Sequence, residues 1–203
     1  MSAGMTIIGQ QFVAVGGGAQ DIQTIKGEGL SDGGVDALLA WNGSSYDEYL
    51  YYSESDDING DGTAAWGDLN WEAIQEPIAV GTGMWVNTQG AATITFSGEV
   101  GDVTSVAFSA GMNLITQTLP QDIDIQDVVA EGLSDGGVDA ILVWNGSSYD
   151  EYLYYSESDD INGNGTAAWG DLNWEAVTAT LPAGYGFWLN AQGSGTLTFP
   201  TLN

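Results

Sequence analysis

Two short acidic loops contain the side chains best suited to bind a ligand. Residues 57–63 read Asp-Ile-Asn-Gly-Asp-Gly-Thr, and residues 160–166 repeat this pattern with Asn at its fifth position. Alternating oxygen-bearing side chains before a glycine turn are typical of a site for a hard cation, and calcium accepts six to eight such oxygens. The predicted metal ligands are Asp57, Asn59, Asp61, Thr63 and Asp68 in the first loop and Asp160, Asn162, Asn164, Thr166 and Asp171 in the second.

The loops resemble the first half of an EF-hand or dockerin calcium loop. In that pattern, positions 1, 3 and 5 supply side-chain oxygens, position 6 is glycine, and position 7, here Thr63, supplies a carbonyl. Position 12 falls on Asp68, where the family usually has a glutamate. The resemblance implies calcium binding, weaker in the second loop because Asn164 is uncharged. The alternative is a glycine-rich turn whose acids are simply solvated.

A second acidic segment recurs at residues 32–36 and 135–139, which both read Asp-Gly-Gly-Val-Asp. It is consistent with another cation site, but two adjacent glycines before an apolar stretch favour a turn that enters a strand.

The charge balance restricts the possible partners. The chain has 28 acidic residues and a single base, Lys26, for a formal net charge of -27. Nothing in it can neutralise nucleic acid phosphates, so nucleic acid is excluded as a partner. No apolar run of about 18 residues is present, so membrane insertion is not expected either.

Catalysis is not expected. The chain lacks histidine, cysteine and arginine, which removes most general bases, nucleophiles and phosphate-binding groups. Paired carboxylates remain, but with so many acidic residues some pairs fall at suitable separations by chance. We therefore predict that the protein is not an enzyme.

Aromatic residues suggest a sugar-binding surface near each acidic loop. In the first half of the chain they are Trp41, Tyr46, Tyr49, Tyr51, Tyr52, Trp66 and Trp71. Strand alternation places Tyr49 and Tyr51 on one face and Tyr52 on the other, so we expect one face to stay partly exposed. The alternative is that these aromatic side chains fill a core or an interface.

An internal repeat organises the whole chain. Residues 28–74 recur as residues 131–177 with four changes in 47 positions, an offset of 103. We expect an all-β protein of two tandem homologous domains, each a β-sandwich or small barrel, at residues 1–102 (copy 1) and 103–203 (copy 2). Predicted strands in copy 1 span residues 5–13, 35–41, 46–53, 66–74, 83–88 and 92–97. Asn42-Gly43 predicts a type I′ hairpin turn, and residues 21–26 and 123–130 allow a short helical turn.

These observations favour an extracellular structural subunit that assembles with copies of itself into a filament, sheath or surface layer. If one copy packs on the next through an open-ended contact, the same contact can join molecules, with calcium bridging their negative surfaces. Residues 5–13 and 196–201 are candidates for strand exchange. The alternative is a calcium-dependent carbohydrate-binding module with two aromatic sites.

An extracellular or cell-surface location fits this chemistry. A chain with one lysine and no arginine offers trypsin-like proteases almost nothing to cut, and we expect a leader peptide outside the sequence. The segments Trp41-Asn42-Gly43 and Gly186-Phe187-Trp188-Leu189 are similar to motifs in tandem β-domain segments of large bacterial surface proteins, which implies an extracellular structural protein.

Overall fold

The computed structural model describes residues 1–201, and it confirms an all-β protein. Copy 1 contains strands β1 (Gly4–Gly9), β2 (Gln20–Asp21), β3 (Lys26–Glu28), β4 (Ala37–Trp41), β5 (Tyr46–Tyr52), β6 (Ala65–Gly67), β7 (Pro77–Ile78), β8 (Gly83–Thr88) and β9 (Thr93–Thr95). Copy 2 contains β10 (Ser105–Phe108), β11 (Gly111–Thr116), β12 (Ile123–Asp124), β13 (Val129–Glu131), β14 (Ala140–Trp144), β15 (Tyr149–Tyr155), β16 (Ala168–Gly170), β17 (Thr180–Leu181), β18 (Gly186–Ala191) and β19 (Gly195–Thr198). Single 3-10 turns at Ile22–Thr24 and Ile125–Asp127 lie where short helical turns were allowed.

Each copy is built on an antiparallel five-stranded sheet. The strand order is β1-β8-β4-β5-β6 in copy 1 and β11-β18-β14-β15-β16 in copy 2. Small sheets lie beside them: β2-β7 and β3-β9 in copy 1, and β12-β17 and β10-β19-β13 in copy 2. The same topology therefore forms twice, and β10, which precedes β11 in the chain, adds a third strand to the small β19-β13 sheet of copy 2.

The two faces of each large sheet are covered by different partners. In copy 1, Ile8, Leu38 and Met84 point into a core that belongs to the same copy. Their neighbours Ile7 and Trp85 point the other way, against Leu114 and Trp188 of copy 2. Because side chains alternate along a strand, residues next to each other in sequence serve two separate cores. Strand alternation predicts one partly exposed face, whereas both faces are largely buried.

The contact between the copies has approximate two-fold symmetry. Trp41 packs edge-on against Trp188 with ring centroids 5.6 Å apart, and the equivalent pair, Trp85 with Trp144, has the same separation. The backbone hydrogen bonds between the copies follow the same two-fold relation. Gly9 N donates to Gly184 O, and the equivalent Thr116 N donates to Gly81 O. A contact in which each copy presents the same surface to the other closes on itself.

Two local predictions were wrong. Residues 66–74 do not form one strand, because β6 ends at Gly67 and the chain turns back so that Gly67 pairs with Ala73. The hairpin after β4 forms, but it is not type I′, since Trp41 pairs with Tyr46 across a four-residue loop and Asn42 has a negative φ. The Asn42 side chain accepts hydrogen bonds from Ser44 N and Ser45 N, which closes the longer loop.

The described residues, 1–201, include no helix with the length and apolar character needed to span a membrane.

Candidate ligand-binding tips and acidic loops

The hairpin that follows β6 presents large apolar side chains to solvent. We call residues 68–72 of copy 1 and 171–175 of copy 2 the tip loops. In copy 1, Leu69 is 77% exposed and Trp71 is 53% exposed, and their counterparts Leu172 and Trp174 are equally exposed. Apolar groups of this size, exposed at the end of a turn, contribute little to a core. They are typical of a surface that contacts a ligand or partner.

The backbone of each tip loop is held by an aspartate. Asp68 Oδ1 accepts hydrogen bonds from Asn70 N and Glu72 N, and Asp68 Oδ2 accepts one from the Asn70 side chain. Trp71 N donates to Asp68 O at 3.2 Å. These bonds, led by that from the Asn70 side chain, lower the pKa of Asp68. The turn is therefore fixed by polar contacts of the backbone, Asp68 and Asn70, in which the side chains of Leu69 and Trp71 take no part.

Trp71 and Trp174 adopt a backbone conformation that large side chains avoid. Their φ angles are +64° and +63°, and within residues 1–201 only Asp57 and Asp160 share a positive φ among non-glycine residues. Hairpin loops of this kind usually place glycine or asparagine there. A bulky residue at positive φ costs on the order of 1–3 kcal/mol, and such strain concentrates at binding and catalytic sites.

Trp71 is about half exposed, and its ring contacts a buried tyrosine. The ring centroids of Trp71 and Tyr52 are 4.9 Å apart, and the ring planes meet at 46°. The Tyr52 hydroxyl donates a hydrogen bond to Asp68 O at 2.8 Å. Tyr52 is itself almost fully buried. Burial, followed by the charge of Asp68, raises the pKa of Tyr52, which keeps the hydroxyl as a donor. The same contacts recur between Tyr155 and Trp174.

The acidic loop packs beside the tip loop through its second residue. Ile58 joins the apolar cluster that contains Tyr52. Gly67 leaves the space for it, because a Cβ at Gly67 would overlap the Ile58 side chain and approach Glu72 O. Ile58 therefore joins the acidic loop to the base of the tip loop through its packing with Tyr52.

Within the first acidic loop, the side-chain oxygens accept hydrogen bonds from the loop's own backbone. Asp57 Oδ1 accepts from Gly62 N at 2.7 Å, and Asp61 Oδ1 accepts from Thr63 N at 2.9 Å. Asn59 Oδ1 accepts from Asp61 N. Contacts from the Thr63 hydroxyl and then its N–H lower the pKa of Asp61. These bonds leave one oxygen of Asp57 and one of Asp61 without a partner among the described residues.

The second acidic loop forms the same turns with less charge. Asn164 replaces Asp61, yet Thr166 N still donates to Asn164 Oδ1 at 2.9 Å and Gly165 N to Asp160 Oδ1 at 2.7 Å. Asn162 Oδ1 again accepts from the residue two positions ahead. The loop conformation therefore does not depend on the charge of its fifth residue.

The predicted ligand at position 12 takes part in a different contact. Asp68 and Asp171 use both carboxylate oxygens inside their own tip loops. Across residues 1–201, no group of three or more acidic, histidine or cysteine side chains is close enough together to hold a metal ion. The structure thus brings positions 1, 3, 5 and 7 into one loop and leaves the fifth predicted ligand apart from them.

The segment at residues 32–36 contains two different kinds of aspartate. Asp36 is fully buried and accepts hydrogen bonds from Ser31 N and Gln89 N, so it joins two loops. Asp32 is exposed beside Asp56, and both carboxylates accept from Gly33 N. The two neighbouring carboxyl groups can share a proton, and this sharing with Asp56, followed by the hydrogen bond from Ser53, lowers the pKa of Asp32. Asp32 Oδ2 also accepts from the Ser55 hydroxyl, so both oxygens of Asp32 hold the loop together.

The predicted aromatic strip is mostly buried. Tyr49, Tyr52 and Trp66 lie in cores, and Trp41 packs in the contact between the copies, where its Nε1 donates to Met112 O at 2.8 Å. Trp71, at 53%, and Tyr46, at 42%, are its exposed members, and Trp71 alone of the strip has a positive φ. Leu69 was not among the predicted site residues, and the sequence pattern did not separate Trp71 from the other aromatic residues. Leu69 and Trp71 alternate with polar residues, and this alternation is the pattern of a strand. It therefore predicts a strand where the structure has a turn.

Comparison with family models, with curated proteins and with solved structures finds no match to this chain.

Proposed function

We propose that the protein is a bivalent binding module for neutral carbohydrate, with one site at each tip loop. The observation that carries this proposal is a tryptophan in each copy that is about half exposed and has a positive φ. Packing on Tyr52 and Tyr155 still leaves Trp71 and Trp174 about half exposed at a strained φ, so a ligand that covers them gives both the strain and the exposure a physical reason.

The chemistry around Trp71 favours a sugar ring. Trp71 is 53% exposed, and the apolar C–H face of a pyranose packs well on an exposed indole. Asn70 and Glu72 flank the ring and are exposed, so they can hydrogen-bond to sugar hydroxyls. A net charge of -27 repels acidic polysaccharides, which leaves neutral ones as the favoured class.

Two equivalent sites, one on each copy, suit a polymer whose sugar units repeat. The tip loops are related by the approximate two-fold axis that relates Trp41–Trp188 to Trp85–Trp144. Binding at one site raises the local concentration of the polymer at the other. Avidity then exceeds the affinity of a single site without any further contact.

Calcium is proposed as a stabiliser of the tip loops. Asp57, Asn59 and Asp61 place side-chain oxygens in one turn, and Ile58 connects this turn to Tyr52. Oxygen donors of this kind suit calcium. With only two carboxylates in the first loop and one in the second, the remaining ligands would be carbonyl oxygens and water. We therefore expect weak binding, weaker in copy 2.

Retention on insoluble neutral polysaccharides tests the proposed function. We expect the protein to bind one of a panel such as cellulose, chitin, xylan or mannan, and the double variant Trp71→Ala/Trp174→Ala to lose binding at least tenfold. Val15→Ser is the matched control, since Val15 is 82% exposed and far along the chain from either tip loop. Equal retention of the double variant and the control would rule out the tip loops as the sites.

The self-assembly and extracellular location predicted from the sequence stay predictions. Assembly was inferred from an open-ended contact between copies, whereas the contact in which Trp41 meets Trp188 and Trp85 meets Trp144 is closed. Negative-stain electron microscopy, with millimolar calcium and after chelation, checks it: ordered fibres or sheets would support assembly through some other surface.

A further inference from the structure

A groove on copy 2 lies beside β13 and measures about 700 Å³. β13 contributes Val129 and Glu131 to its lining, β15 and the loop that follows it contribute Tyr154 and Glu157, and β16 contributes Trp169. We call it the β13 groove. Its lining includes none of the tip-loop residues 171–175, so it is distinct from the proposed carbohydrate site.

In copy 1, the position of Val129 is held by the chain's single basic side chain, Lys26. The two residues begin β3 and β13, and these strands pair with β9 and β19 in the same register. The Lys26 ammonium donates a hydrogen bond to Gln23 O at 2.9 Å. Gln126, the counterpart of Gln23, lines the β13 groove. Copy 1 therefore places an ammonium on an aliphatic stem where copy 2 has an open groove.

Both copies keep two carboxylates at this position. Glu131 and Glu157 line the β13 groove, and their counterparts in copy 1 are Glu28 and Glu54. Because Lys26 is the only lysine or arginine in the chain, Glu131 and Glu157 have no basic side chain to pair with. A groove with two unpaired carboxylates attracts a cation, and the net charge of -27 adds to this attraction.

One further acid differs between the copies. Contacts from Thr63 are the main cause of the lowered pKa of Asp61, and the positive charge of Lys26 adds to them. The ammonium of Lys26 is thus within electrostatic range of the first acidic loop. In copy 2, Asn164 replaces Asp61, so the two groove glutamates supply the negative charge there.

The β13 groove also offers apolar surface to an aliphatic stem. Val129 is 61% exposed. Tyr154 is half-buried and packs edge-on against Trp169, with ring centroids 5.4 Å apart. Burial, followed by the charge of Glu157, raises the pKa of Tyr154, so its hydroxyl stays neutral beside that carboxylate. Lysine stems pack on apolar surface in this way while the ammonium reaches polar acceptors.

We propose that the β13 groove binds a primary ammonium on an unbranched aliphatic stem, from a free alkyl amine or from a lysine side chain of another polypeptide. The stem packs on Val129, and the ammonium pairs with Glu131 and Glu157. Gln126 O is the counterpart of the carbonyl that accepts from Lys26. The site does not depend on the tip loops, so it holds whether or not they bind carbohydrate.

Titration of the full chain with butylamine, followed by nuclear magnetic resonance, tests the proposal. Sodium chloride at about 0.15 M screens long-range attraction to the acidic surface. We expect one saturable site per chain, with shift changes centred on Val129, Glu131 and Tyr154, and no binding of butanol, the neutral analogue. Shift changes spread over the acidic residues of both copies, without saturation, would overturn the proposal.

Reciprocal variants use the difference between the copies. Val129→Lys fills the β13 groove as Lys26 fills its counterpart, and it should weaken butylamine binding by about tenfold or more. Lys26→Val should open the equivalent site, so that two molecules bind per chain. Val15→Lys is the matched control, since it adds the same charge at an exposed residue outside the groove lining. Equal binding by wild type and Val129→Lys, or one site in Lys26→Val, would overturn the proposal.

A lysine derivative identifies the source of the ammonium. Acetyl-lysine methylamide, acetylated on its α-amino group, carries the same stem on a peptide backbone. Binding equal to that of butylamine would support recognition of a lysine side chain from another polypeptide. Binding of butylamine alone would support a site for free amines. Binding of neither would overturn the proposal, and carbohydrate retention by the same sample shows separately whether the tip loops function.

Discussion

Tryptophan serves opposite purposes in two regions of this molecule. At the contact between the copies, Trp85 and Trp188 are 7% and 6% exposed and pack on apolar residues of both copies. At the tip loops, Trp71 and Trp174 are 53% and 52% exposed and hold a strained φ. Burial makes the first pair structural. The second pair reduces stability, and we attribute its retention to ligand binding.

The contact between the copies and the tip loops are also held by different interactions. The contact between the copies fixes the two halves by two-fold-related pairs of tryptophans and by Nε1 donors to backbone carbonyls, from Trp41 to Met112 and from Trp144 to Met5. Each tip loop is held locally by one aspartate. Variants in the contact should therefore change stability, and variants in the tip loops should change binding.

The largest effect is expected from Trp85→Ala. Removing a buried tryptophan from the contact should lower the free energy of unfolding by about 3–5 kcal/mol, and Trp188→Ala should act equally because it occupies the equivalent position. Urea denaturation measures both. A loss below about 1 kcal/mol for either would show that the contact between the copies contributes little to the fold.

Alkaline pH should weaken the packed regions next. Burial, and then the charges of Glu76 and Asp47, raises the pKa of Tyr49 to about 12. The unfolded chain ionises near its ordinary value of 10, so the stability present below pH 10 is lost as the pH rises towards 12. Tyrosinate absorbance should titrate later in the native protein than in denaturant, and coincident curves would contradict the packing of Tyr49.

Substitutions of Trp71 should change the free energy of unfolding less, and they test the backbone strain directly. Trp71→Gly removes the strain at positive φ, whereas Trp71→Ala keeps it, so the glycine variant should be more stable than the alanine variant by about 1 kcal/mol. Both should lose carbohydrate binding. Thermal unfolding checks the order, and an alanine variant as stable as the glycine variant would show that Trp71 is not strained.

Calcium should have the smallest effect. At millimolar calcium we expect a rise in the free energy of unfolding of about 1 kcal/mol or less, as ligand linkage gives for a weak site. Asp61→Asn should reduce this response, and Asn164→Asp should increase it. If the wild-type protein and both variants respond no more to calcium than to equal ionic strength of sodium, the loops are solvated turns.

The sequence predicts the all-β class, the repeat and the hairpin at Asn42-Gly43. It does not reveal how the copies pack, because alternation assigns Ile7 and Ile8 to opposite faces without showing what covers each face. The repeat also shifts: Gly4 matches Gly111 at an offset of 107, although most positions match at 103. The shift arises because residues 10–19, between β1 and β2, are four more than residues 117–122, between β11 and β12.

The candidate site was predicted only in part for similar reasons. The acidic loops were evident from composition and spacing, yet the partners of Asp68 depend on a turn that the alternation of Leu69 and Trp71 disguised as a strand. Asp36 looks like a surface acid in sequence, and only the fold shows that two backbone donors hold it in the interior.

The stoichiometry of carbohydrate binding tests the central claim most directly. Isothermal titration with a soluble oligosaccharide of the polymer that the protein retains should give two equal sites for the wild-type chain. Trp71→Ala and Trp174→Ala should each give one site with unchanged affinity, because the two tip loops are independent and equivalent. A single site in the wild-type chain, or two sites remaining in either variant, would contradict the account.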